Sequence, residues 1–189
     1  MHLEAQRFSE QVNDCRARAE QLVSGLTAQQ LVQRPEASRW SIAECLAHLN
    51  ITGNVVQKLS SAAVAKARPS VTGSKSFPLG PRGRLLIWIA EPPPKFRIPA
   101  PKGIVPPVEF PDPTALLPEF MKVQDGWEKL MKAGEKVDLS KIKVGSLLSA
   151  FRCRLSGGLL WMTAHQRRHL AQAENVKREI MKQTSVAKA

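Results

Sequence analysis

Apolar positions recur at three- and four-residue steps in four stretches of the chain, which is the period of a helix with one buried stripe. Leu3, Phe8, Val12, Cys15, Ala19, Leu22 and Leu26 form the first stripe, and Gly25 is a stop signal near its end. Thr27-Ala-Gln-Gln30 has the form of a capping box for a short connecting turn. Ser41-Ile-Ala-Glu44 is a second capping box, and Cys45, Leu49, Thr52, Val56, Leu59 and Ala63 carry a stripe on to about Lys66, before Pro69. The third stripe is Leu116, Phe120, Val123, Trp127 and Leu130, in a helix from Leu116 to Ala133 with Pro118 in its first turn and Gly134 after its end. The last helix runs from near Ser156 to about Lys182, and the stretch from Val137 to Arg154 reads as a short irregular or helical piece.

Residues 69–113 break the pattern. Twelve of the fourteen prolines lie there. Each removes an amide donor and restricts the residue before it, so this stretch should be mostly irregular, with no helix beyond about three turns. Its one apolar run, Leu85 to Ile89, is expected to be buried against the bundle or in a homodimer contact. Four amphipathic helices with a long second connection indicate an all-α bundle. The 189 residues suit one domain, 1–189, with the proline-rich segment as an arm.

Composition narrows the function. The net charge of +12 suits an anionic partner, and from Lys66 to Lys102 eight basic residues meet one acid, Glu91. The basic residues form no run, however, which favours a solvated basic surface over a nucleic-acid footprint. No apolar run approaches the roughly 20 residues of a membrane span, and the first residues lack the pattern of a signal peptide. Cys15, Cys45 and Cys153 show no CxxC spacing, which argues against a disulfide framework or thiolate zinc site and fits a reducing cytoplasm.

The candidate chemistry lies in the histidines. His2 is terminal; His48, His165 and His169 fall inside helices. At 100° per residue, Trp161, His165, His169, Gln172, Val176 and Ile180 share one face within about 60°, so polar groups interrupt an apolar stripe. His165 and His169 are one turn apart and can reach one ion from the same side. His48 lies within about 20° of Val55 and Leu59 on the buried stripe of its helix. One buried histidine is most often a hydrogen-bonded core residue, and an HxxxH pair alone is weak. Three on two buried stripes are harder to explain that way, because each unpaired imidazole costs about 1–3 kcal/mol. Three imidazoles suit zinc, nickel, iron or copper and leave positions open to water or substrate.

Around them, Glu44 reads first as a capping residue and alternatively as a support for a ligand imidazole. Gln172 is equally a hydrogen-bond partner for such an imidazole or a plain interhelical contact. Cys45 reads as core filler, and Arg167 and Arg168 as a solvated or ion-paired face before an anion site. Trp40, Trp88, Trp127 and Trp161 read as packing residues.

Trp40-Ser-Ile-Ala-Glu-Cys-Leu-Ala-His48-Leu49 resembles the WSxxExLxHL signature of DinB/YfiT-like proteins, and His165-Gln-Arg-Arg-His169-Leu-Ala-Gln172 resembles their terminal HxxRHxxQ segment. The resemblance covers about two-thirds of the chain and leaves the proline-rich middle aside. It implies an up-down-down-up four-helix bundle with the long connection between helices 2 and 3. It also implies a divalent metal, commonly zinc or nickel, on His48, His165 and His169. The activity it implies is thiol S-transfer to a small molecule with a low-molecular-weight thiol such as bacillithiol or mycothiol as cosubstrate. Metal-dependent hydrolysis is the alternative, and a non-catalytic, metal-stabilised binding module is a third reading.

Overall fold

Two side-chain caps set where two of the helices begin, one of them the helix that carries His48. In the computed structural model, Ser41 accepts a hydrogen bond from the Glu44 amide while the Glu44 carboxylate accepts one from the Ser41 amide at 2.9 Å, and Thr27 and Gln30 repeat the arrangement. The structure describes residues 3–71, 81–93, 96, 99–146 and 149–186. Its helices are α1 (Leu3–Val23), α2 (Ala28–Val32), α3 (Ile42–Ala65), α4 (Pro81–Ala90), α5 (Leu116–Gly134) and α6 (Leu155–Val186). Gly25 follows α1 at φ +75°, a conformation that releases the chain from the helix without strain.

The four long helices form a ring in which α1 and α3 each pack on both α5 and α6, so the first two long helices stand diagonally opposed. Side-chain pairs give their directions. Gln11 meets Thr163, Arg18 meets Glu174, and Lys177 reaches the Leu22 carbonyl, so α1 and α6 run parallel. Asn50 donates to the Leu116 carbonyl and Gln57 to the Val123 carbonyl, so α3 and α5 also run parallel. Residues 39 and 48 meet Glu179 and His165, which makes α3 and α6 antiparallel. The result is an up-down-down-up four-helix bundle, and a parallel α3–α5 pair requires the long connection between them.

The core divides into two ends. Cys15, Ala19 and Leu22 of α1 pack with Leu46, Leu49, Phe120 and Leu170 at one end. Phe8 and Val12 pack with Val123, Trp127, Leu130 and Met162 at the other, where Phe8 meets Trp127 edge-on at 6.4 Å. The inner face expected for α5 is buried throughout. The Cβ that a side chain would place on Gly53 lies 2.5 Å from Val123 Cγ1, so α3 and α5 touch almost backbone to side chain there.

Several expectations need correction. The stretch before α6 holds a hairpin, β1 (Lys143–Ser146) antiparallel to β2 (Ser149–Arg154), where an irregular or helical piece was expected. Short stretches mixing Val, Phe and Cys with basic residues carry no period long enough to separate strand from helix. Leu59 is exposed, because the second half of α3 buries only the face that carries Ser60 and Val64, and Leu59 points away from it. Leu85 to Ile89 lies in α4 and is only partly buried against the bundle: Ile87 and Ile89 are half-buried, whereas Leu85, Leu86 and Trp88 are 54%, 43% and 52% exposed. The helix lies against α6, where Arg168 donates to the Ile89 carbonyl and Ala90 is buried, and the ridge left outward is Leu85, Leu86 and Trp88. The rest of the described connection holds 3-10 turns at Lys102–Ile104 and Pro113–Ala115. Among the described residues no helix is long and apolar enough to cross a membrane.

Candidate metal centre

The capped start of α3 and the middle of α6 bring the three helical histidines together. Potential ligand atoms of His48, His165 and His169 all lie within 4.8 Å of one another. Their ring centroids are 4.6–5.1 Å apart. His48 and His165 are buried and His169 is half-buried. Among the described residues no Asp, Glu or Cys joins the group.

Hydrogen bonding determines which nitrogens are available. His48 Nδ1 is 2.7 Å from the Ile104 carbonyl oxygen, and a carbonyl only accepts, so Nδ1 carries the proton and Nε2 the lone pair. His169 Nδ1 donates to Gln172 Oε1 at 3.1 Å, which likewise leaves Nε2 with a lone pair. His165 Nε2 faces His48 Nε2 at 3.3 Å, and its own Nδ1 is buried without a partner. Either tautomer of His165 leaves a buried polar atom unmet. A proton on Nδ1 is an orphan donor, with two lone pairs opposed; a proton on Nε2 leaves Nδ1 an orphan acceptor.

A cation between the rings would use the opposed lone pairs. Two ligands at about 2.0–2.1 Å from one tetrahedral ion are separated by about 3.3–3.4 Å, which is the observed spacing of the two Nε2 atoms. The electrostatics suit neutral imidazoles. Burial holds the pKa of His165 well below its ordinary value and brings that of His169 down to about 3, each helped by the neighbouring rings. Burial also lowers His48, against the opposing effect of the Ile104 carbonyl. These are deprotonated bases at neutral pH, the form that binds metal.

Aromatic walls enclose the rings. Trp161 stacks on His165 at 4.9 Å, and Trp40 stacks on His169 at 5.7 Å while tilting against His48 at 5.0 Å. Reading Trp40 and Trp161 as general packing residues missed this placement, although Trp161 stands one turn from His165 in the sequence. The Ile104 carbonyl was also missed. A backbone acceptor in a proline-rich segment has no side-chain signature, and nothing in the sequence points to it.

The supporting residues separate. Gln172 touches His169, whereas Glu44 is committed elsewhere. Its carboxylate completes the α3 cap and forms a two-pronged ion pair with Arg34 (Nε–Oε2 2.8 Å), and it makes no hydrogen bond to a histidine. Arg167 and Arg168 are also occupied, with Glu91 and with the carbonyls of Ile89 and Phe96. Cys45 is fully buried, which pushes its thiol pKa up.

An up-down-down-up bundle with three imidazoles converging from two of its helices defines a helical protein whose cluster fits a metal ion. The sequence profile of the DinB superfamily matches residues 11–173, and the chain belongs to that superfamily. Among solved structures it is similar to YfiT from Bacillus subtilis, described as a probable metal-dependent hydrolase with an unusual four-helix bundle topology. The TM-score is 0.62 at 14% identity, over 93% of this chain and 87% of that one. No curated protein sequence matches the chain.

Proposed function

We propose that this chain is a divalent-metal-dependent enzyme acting on a small molecule, with His48, His165 and His169 as the metal ligands. The observation that carries the reading is the pair of Nε2 atoms facing one another at 3.3 Å, with the remaining His165 nitrogen unpartnered. A divalent ion held there supplies Lewis-acid chemistry and lowers the pKa of a water or thiol that it coordinates. The protein's own part is to hold the ligands neutral by burial, to fix two rings through Ile104 and Gln172, and to shield ring faces with Trp40 and Trp161. Three protein ligands leave a position for substrate.

Hydrolysis is the form that the description of YfiT supports. Thiol S-transfer is the second, supported by the resemblance of both motifs. The thiol would come from a cosubstrate, as the same resemblance implies, and Cys15 and Cys45 are buried thiols with raised pKa values. Zinc or nickel is the ion expected by the same resemblance. A panel of activated esters and amides, and of electrophiles with low-molecular-weight thiols, tests both on zinc- and nickel-loaded protein. Turnover that a chelator abolishes supports an enzyme. A His48→Ala variant that loses metal yet keeps its fold, with no turnover from the parent, supports the metal-stabilised binding module instead. A homodimer joined over the outward α4 side chains is the partner expected, and light scattering tests it.

A further inference from the structure

The turn of α6 that bears the histidines also grips the proline-rich connection. Arg168, next to His169, donates to the carbonyls of Ile89 (2.8 Å) and Phe96. Arg167 forms a two-pronged ion pair with Glu91 (Nε–Oε2 3.1 Å). The same connection returns at the Lys102–Ile104 turn, where Ile104 is buried and its carbonyl accepts the hydrogen bond from His48 Nδ1. The connection thus touches one ligand ring directly, at His48, and is held beside a second ligand, His169, by the side chains of Arg167 and Arg168.

We propose that docking of the connection and occupation of the three-histidine centre are thermodynamically coupled, with Arg168 and the Ile104 turn as the positioning elements. The inference rests on the metal reading given above. With the Ile104 carbonyl in place, His48 is held in the tautomer whose Nε2 lone pair faces the other rings. Electron withdrawal by an ion on Nε2 strengthens the Nδ1–H donor, and so strengthens its bond to Ile104. By linkage, the factor by which metal favours the docked connection equals the factor by which docking favours metal.

The test uses the full chain, stripped with a chelator and then titrated with zinc, read by amide hydrogen exchange. The reporters are the Ile104 amide, bonded to the Pro101 carbonyl at 3.0 Å, and the Glu91 amide, bonded to the Ile87 carbonyl at 2.8 Å. Peptides from the middle of α5 serve as the control. Zinc should slow exchange at both reporters by about tenfold or more, on the scale of 10–100-fold effects of outer contacts on metal affinity, and leave the α5 control unchanged. Arg168→Met, which keeps the aliphatic stem, should weaken zinc binding by about 10–100-fold. Ile104→Ala should do the same by loosening the turn, which covers the case in which one variant fails to fold. Zinc binding that leaves both reporters unmoved overturns the coupling while the metal reading stands, and so does parent-like affinity in both variants. Protein that binds no zinc or nickel at all overturns both.

Discussion

His48 Nε2 and His165 Nε2 face one another at 3.3 Å across the contact between α3 and α6, although 117 residues separate them in the sequence. The Ile104 carbonyl fixes the proton of His48 on its other nitrogen, so the facing atom is a lone pair. This relationship gives the cluster a chemical demand for a cation between the rings.

Gln172 and Glu44 should behave differently on substitution. Gln172→Ala removes the partner of His169 Nδ1 and should weaken zinc binding about 10–100-fold with little change in stability. Glu44→Gln can still complete the cap, as Gln30 does for Thr27, but removes the ion pair with Arg34 and should cost about 1–2 kcal/mol of stability, leaving zinc affinity near the parent's. Zinc titration beside urea denaturation checks both. A Glu44→Gln variant with strongly reduced affinity would return that carboxylate to the metal site.

Gly53→Ala should destabilise the bundle. Its Cβ would lie 2.5 Å from Val123 Cγ1, a β-branched side chain held in one rotamer in a helix. Overpacking costs about 1–3 kcal/mol, against a gain of up to about 1 kcal/mol in helix propensity, so a net loss is expected. The Gly53→Ala/Val123→Ala double variant should recover much of the overpacking loss. Greater stability in Gly53→Ala alone would show that the α3–α5 contact is looser than described.

Cys15 and Cys45 should be inert in the native protein. Burial raises the Cys15 thiol to about 12 and pushes Cys45 up as well, so at pH 7–8 almost no thiolate is present at either. Both should escape iodoacetamide in the folded protein and react in denaturant, as read by peptide mass mapping. Rapid native labelling of Cys45 would show that its thiol is more accessible and more reactive than its burial implies.

The bundle was legible because its signals are periodic and local. The α5 stripe from Leu116 to Leu130 and the Ser41–Glu44 cap are each contained in one helix, and helical spacing alone put His165 and His169 on one face. The convergence of His48 on them is tertiary, and only its place on a buried stripe hinted at it. What stayed hidden was carried by backbone or by context. The Ile104 carbonyl has no residue signature. The outward ridge of α4 depends on which face the helix turns to α6, which apolar content alone could not reveal. The Lys143–Arg154 hairpin is too short for a period to declare itself.

The central claim is that His48, His165 and His169 form one metal site, and the most direct measurement is metal content per chain after equilibrium dialysis against zinc and against nickel. The account predicts one ion per chain in the parent. His165→Ala and His169→Ala should lose most of it while keeping parent-like helical circular dichroism. A parent protein that takes up neither ion, or variants that retain the parent's full metal content, would contradict it.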